Sequence, residues 1–225
     1  MNTSSINSLK LLAQQVVTVG MDLLFPPLCV NCERVGSFLC PHCLATVHQA
    51  PERVVPGLDG VQVRADFEGA VRTALHAFKY EGLTRLADPL GALLCEALAG
   101  LGGRVDVVTA VPLHASRLQE RGYNQAALLA HYVAAARHWT FAPDALRRIR
   151  PTASQVNLNA QERRANVEAA FAAEPAVFKG KEVLVIDDVL TTGSTLLACA
   201  DALRAAGATH VYGATVAGAV GFRDQ

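Results

Sequence analysis

Residues 183–195 read Val-Leu-Val-Ile-Asp-Asp-Val-Leu-Thr-Thr-Gly-Ser-Thr, two adjacent carboxylates followed by a short hydroxyl-rich loop around one glycine. Asp187 and Asp188 have the chemistry to hold sugar hydroxyls or to enter the shell of a hard cation such as Mg2+. Thr191, Thr192, Gly193, Ser194 and Thr195 offer hydroxyls and unpaired backbone N–H groups where a helical pattern begins, which suits a phosphate. A ribose 5-phosphate carrying further phosphates would satisfy both halves at once. A Walker loop would need Lys before its last Ser/Thr, and a dinucleotide fingerprint three spaced glycines, so this is a different phosphate loop. The second cluster is Cys29, Cys32, Cys40 and Cys43, two CxxC pairs separated by Glu33 to Leu39. That spacing closes four thiolates on one tetrahedral ion, for which zinc is the natural choice; four cysteines leave no open position, so its role is structural. Two disulfides, which a reducing compartment would not preserve, and an iron–sulfur cluster are the rival readings. Cys95 and Cys199 sit among apolar residues and receive no chemistry.

Elements must place these groups. Unbroken Val183 to Ile186 predicts a parallel strand buried on both faces, with the acids where it leaves the sheet. Leu196, Ala200 and Leu203 predict the helix after the loop. Val61 to Phe67 reads as a strand and Gly69 to about Leu98 as a helical run, in which Lys79 and Tyr80 either face an anionic ligand or flank a surface turn at Gly82. Val105 to Pro112 reads as a further buried strand. The loop after it, Leu113-His114-Ala115-Ser116-Arg117, can face the same crevice as the acids and bind a pyrophosphate. Arg121-Gly122-Tyr123-Asn124-Gln125 leads into a helix ending near Arg137 and buried through Leu128, Leu129 and Tyr132. Asn124 and Gln125 serve there either as ligand contacts or as helix cap and turn. Leu146 to Ile149 is a short strand. The polar stretch 150–167, with Gln155, Arg163 and Arg164, is either a lid or a merely solvated loop.

The chain has 225 residues, is 51% hydrophobic and carries no net charge, so it can bury one α/β domain plus something small and shows no global signature for nucleic acid or anionic membrane. Its one basic stretch, 113–164, holds eight arginines against Glu120, Asp144 and Glu162. Leu9, Leu12, Val16, Val19 and Leu23 predict an N-terminal helix with one apolar stripe, ended by Pro26-Pro27, that docks on the domain in preference to lying on a membrane surface. Gln14, Gln15 and Asp22 interrupt the apolar run, so no membrane insertion is expected, and without a signal peptide's features the expected location is cytoplasmic. The expected organisation is a helix and four-cysteine zinc module over 1–60 and an α/β domain over 61–225.

The acids and loop at 187–195 resemble the phosphoribosyl diphosphate (PRPP) motif of type I phosphoribosyltransferases. The order of four blocks, the double CxxC, Phe78-Lys79-Tyr80 with Gly82, Arg121 to Gln125, and Gln155 through Asn166 before the acids, resembles the ComF family (ComFC/GntX-like) along nearly the whole chain. Membership implies a type I phosphoribosyltransferase domain with a five-stranded parallel sheet behind a zinc-ribbon-like module, and a link to competence and DNA uptake beside a helicase. Carried over, Asp187 and Asp188 hold ribose hydroxyls directly or through Mg2+, Thr191 to Thr195 cradle the 5-phosphate, Leu113 to Arg117 take the pyrophosphate, and Gln155 to Asn166 form the mobile cover. Glu33 and Tyr123 depart from the Gly and Phe usual in the family. The implied activity is pentosyl transfer from PRPP, with Asp187, Asp188 and Arg117 as the catalytic set. The rival reading is a non-catalytic single-stranded-DNA- or helicase-binding protein on the same fold, reading DNA through Arg147, Arg148 and Arg150. No residue pattern identifies the acceptor or the oligomeric state.

Overall fold

The computed structural model describes residues 25–101, 105–149 and 170–219. The expected N-terminal helix and the whole of the expected lid, including Arg150, Gln155, Arg163 and Arg164, lie outside the described residues. In chain order the elements are α1 (Pro41–Leu44), β1 (Gly60–Asp66), α2 (Gly69–Tyr80), α3 (Ala87–Ala97), β2 (Val107–Ala110), α4 (Ala115–Arg121), α5 (Gln125–Arg137), β3 (Thr140–Phe141), β4 (Leu146–Arg148), β5 (Phe171–Ala173), α6 (Pro175–Phe178), β6 (Glu182–Leu190), α7 (Ser194–Ala205) and β7 (His210–Gly218).

Five strands form a parallel sheet in the order β1-β7-β6-β2-β3. Its central strands are rich in apolar residues because both faces are covered. Leu184 and Ile186 pack with α2, α3 and α5, whereas Val183 and Val185 pack with α7, α6 and the β4–β5 ribbon. This is the α/β architecture expected, and the strand order carries a functional consequence. From β2 the chain moves outward to β3 and then returns to β6 on the other side of β2, after which β7 lies farther out again. The reversal opens a crevice between the carboxyl ends of β2 and β6, the position where open α/β sheets bind ligands.

Several local expectations are corrected. The run from Gly69 to Leu98 is two helices, because Gly82 adopts a left-handed φ of 71° and breaks the first. β6 does not end before the acids. It continues to Leu190 because β7 runs beside it, pairing Asp187 with Thr215 and Leu190 with Gly218. On its other side β2 stops at Ala110, opposite Ile186, so the acids lie at the first open positions of that edge. Arg117 is on α4 rather than in a loop, since His114 caps a helix that Gly122 (φ 81°) ends. The buried side of α5 runs through Ala126, Leu129, Ala130, Val133 and Ala134; Leu128 and Tyr132 are only half-buried. These alanines let the helix lie close to the sheet. Finally, β4 stands apart from the main sheet, antiparallel to β5.

The cysteine segment has little core of its own. Cys29, Leu39, Cys40 and Cys43 are buried in the same apolar cluster as α2, α3 and the sheet face they cover. Among the described residues no helix is long and apolar enough to cross a membrane.

Candidate functional site

The crevice is built from three connections. From β6, Asp187 and Asp188 arrive on a strand held in register from both sides, with Ile186 opposite Ala110 of β2 and Ala214 of β7. Asp188 is 4% exposed. Burial, then the neighbouring carboxylate of Asp188, push the Asp187 carboxyl well above its ordinary range, against the Asp188 amide N–H and the Lys79 ammonium, which favour its charged form. The turn that follows puts Gly193 at φ 76° and opens α7, where Thr192 Oγ1 and Ser194 Oγ lie 2.9 Å apart. Thr191 and Thr192 are exposed, with Ser194 and Thr195 half-buried beside them. α7 is 12 residues long, so its first N–H groups and dipole present a positive end to the crevice.

Gly193 is fixed by packing as well as by φ. A Cβ there would lie 2.8 Å from Val55 Cγ1, on the segment that precedes β1. Gly193→Ala is therefore expected to lose about 2–4 kcal/mol in urea unfolding, from left-handed strain plus overpacking. In a double-mutant cycle Val55→Ala should recover the packing part; strict additivity would show that the two residues do not meet. Nothing in the sequence marks Val55 as part of the site.

From β2 come Leu113 and His114, with His114 Nδ1 accepting from the Ser116 N–H at 3.3 Å. Asn124 holds this connection. Its Oδ1 accepts from the Ala126 and Ala127 N–H groups at the start of α5, and its Nδ2 donates to the Val111 carbonyl at 3.0 Å. The Asn124 amide is thus engaged as cap and tie. Gln125 is buried and accepts from Arg121, whose guanidinium also sits 5.6 Å from the Tyr80 ring centroid.

The third connection is the end of α2. Lys79 Nζ lies 2.7 Å from Asp188 Oδ2. The Tyr123 hydroxyl donates to the Phe78 carbonyl, which joins the 121–125 block to the 78–82 block. Lys79, Arg117 and Arg121 line a recess of about 150 Å3 with Tyr80, Glu120 and Tyr123. The structure brings Lys79 onto Asp188 and gathers Tyr80, Arg117 and Arg121 around the same recess as Lys79. Arg147 is engaged elsewhere, in an ion pair with Glu174, and Arg148 turns onto the Phe171 ring.

The cysteine sulfurs lie within 4.8 Å of one another. Cys29–Cys43 and Cys32–Cys40 are 3.7 and 3.5 Å apart, close to the edge of about 3.8 Å set by a tetrahedron of Zn–S bonds near 2.3 Å. The Cys40 N–H points at Cys29 Sγ and the Asn31 Nδ2 at Cys43 Sγ, as supports of metal thiolates do. Burial opposes a Cys29 thiolate, but the Cys40, Asn31 and Cys32 amides more than offset it and hold that thiol down to about 6. At Cys43 the Asn31 bond favours the thiolate, yet burial and the three neighbouring sulfurs push it up to about 12. Four thiolates cannot coexist there without a cation, and the donor set fits a thiophilic one.

The sequence model of the phosphoribosyl transferase domain matches residues 140–220. The chain is 32% identical over 195 residues to the DNA utilization protein YhgH of Escherichia coli O157:H7, covering 81% of this chain and 85% of that protein. The chain belongs to the ComF family. Other relatives of this ComF-family chain include competence protein F of Haemophilus influenzae, 27% identical with 82% of each chain covered, and competence protein ComFC of Streptococcus pneumoniae, 31% identical with 82% and 84% covered. Its fold is that of a type I phosphoribosyltransferase, preceded by a four-cysteine cluster. Glu33, where the family often has Gly, adopts a left-handed φ of 59°, the conformation glycine takes without strain. Tyr123, where Phe is usual, uses its hydroxyl on Phe78.

Proposed function

We propose that this ComF-family chain binds PRPP, or a related phosphoribosyl ligand, with Mg2+ and serves as a phosphoribosyltransferase-like protein in the use of external DNA. The observation that carries the reading is the convergence at the sheet's reversal point of the Asp187–Asp188 pair, the Gly193 turn with the start of α7, and the β2 connection. Asp187 and Asp188 are hard oxygen donors, and a cation already sits on one of them, the Lys79 ammonium, so the pair fits a magnesium site. Bound there, Mg2+ would neutralise charge on a departing diphosphate. The chain's own residues divide the rest. The α7 N–H groups and the hydroxyls of Thr191 to Thr195 bind the 5-phosphate, and the acids orient the ribose. The Leu113–His114 connection, with Arg117 beside it, holds the diphosphate, whose loss creates the positive ribosyl centre.

The link to external DNA rests on the relatives named for DNA utilization and competence, and the reading places the protein in the cytoplasm. We take the domain boundary to fall near residue 60, between a cysteine module held by zinc and the transferase-like domain from 61. A nucleic-acid- or helicase-binding role is the lesser reading, because Arg147 is paired with Glu174 and Arg148 packs on Phe171. The test is calorimetric titration of the zinc-loaded protein with PRPP, with and without Mg2+. Saturable heat that requires Mg2+ is expected; a folded protein that gives none would refute the reading.

A further inference from the structure

Lys79 borders two sites of opposite sign. Its ammonium is 2.7 Å from Asp188 Oδ2, and the two side chains are 21% and 5% exposed. The same residue lines the recess in which Arg117 and Arg121 face one acid, Glu120. The recess therefore carries more positive than negative charge, while the Asp188 carboxylate has its counter-charge as long as Lys79 stays. Removing one partner of a buried ion pair leaves the other charge uncompensated, so Lys79 can leave Asp188 only when another cation replaces it. A lysine suits such an exchange, being a point charge on a flexible four-carbon stem.

We propose that Lys79 is an exchangeable counter-ion. It occupies the cation position on Asp188 until a divalent metal arrives carrying a diphosphate, and it then turns to that diphosphate beside Arg117 and Arg121. The inference rests on the phosphoribosyl reading and deepens it. A free metal ion must compete with a tethered ammonium and gains nothing from its release. A metal–diphosphate complex supplies the replacement cation and also an anion for the displaced one. Lys79 thereby positions the ligand and makes the site select the complex over the bare metal.

The probe is Mn2+, with unbound ion counted by electron paramagnetic resonance on zinc-loaded protein. The parent should bind Mn2+ alone weakly and at least tenfold more tightly with inorganic pyrophosphate present. Equal Mn2+ affinity with and without pyrophosphate would overturn the proposal from the parent alone, whatever the variants do. Lys79→Met should bind Mn2+ alone at least tenfold more tightly than the parent and lose most of the pyrophosphate effect. Asp188→Asn in that background should remove the gain. Unchanged Mn2+ affinity in a folded Lys79→Met protein, with PRPP binding intact in the parent, would overturn this proposal and leave the phosphoribosyl reading standing. A gain in Lys79→Met with no binding of pyrophosphate or PRPP to the parent would overturn the exchange and the phosphoribosyl reading together.

Discussion

Replacing both acids, Asp187→Asn with Asp188→Asn, is expected to weaken Mg2+-dependent PRPP binding by at least about a hundredfold while leaving a folded protein. Asn keeps the shape and a hydrogen-bonding oxygen but brings no charge to hold a cation, and it presents an amide NH2 to the ribose hydroxyls. The fold should survive because β6 is held by its pairing with β2 and β7 and by Val183 to Ile186. Calorimetry checks the binding and far-ultraviolet circular dichroism the fold; parent-like affinity in the double variant would remove the acids from the site.

The single change Asp187→Asn also has a signature in pH. The Asp187 carboxyl titrates at about 8 in the folded protein, raised first by burial and then by Asp188, whereas an unfolded carboxyl titrates near 4. Between these values the folded state binds the extra proton, so this residue's contribution to stability is greatest below the unfolded value and declines as pH rises toward 8. Asp187→Asn should flatten that decline. Urea midpoints measured from pH 5 to pH 8.5 in the absence of divalent metal should converge at the acid end and favour the variant at the alkaline end. A parent whose stability rises across this window relative to the variant would contradict the raised titration.

The four-cysteine cluster can hold a metal ion, and loss of that ion should produce the largest fall in stability. Structural zinc in small finger peptides contributes on the order of 10–16 kcal/mol, and here Cys29, Cys40 and Cys43 lie inside the main apolar cluster rather than in a detached finger. Chelation, or Cys40→Ser, leaves buried thiols of conflicting charge against α2 and α3 and frees Leu39 from its packing. We expect the thermal midpoint to drop by more than about 10 °C, with the loss spreading to the sheet face those helices cover. Circular dichroism melts with zinc analysis on the same samples check this. A metal-free protein that melted like the parent would show that the cluster is no structural support. The same samples separate zinc from an iron–sulfur cluster by metal content and visible absorbance.

What the sequence determined by itself is the chemistry carried in short segments. Hydroxyls around Gly193 after two acids, and two CxxC pairs separated by seven residues, offer donor types suited to a phosphate and to a metal within a single turn or knuckle, where local geometry suffices. The apolar run 183–186 likewise announced a strand covered on both faces, and the order of four blocks pointed to the family. Tertiary structure decided everything that depends on strand order and distant packing. β2 ends one residue pair before the acids, so their exposure on that edge follows from a neighbour and not from their own segment. Lys79 reaches Asp188, Val55 closes on Gly193, and Tyr123 bonds to Phe78 only because α2, the segment before β1 and the α4–α5 connection meet at one end of the sheet. Periodicity and turn chemistry act over a few residues, whereas these contacts are selected by how two apolar faces are covered at once, a choice no single segment encodes.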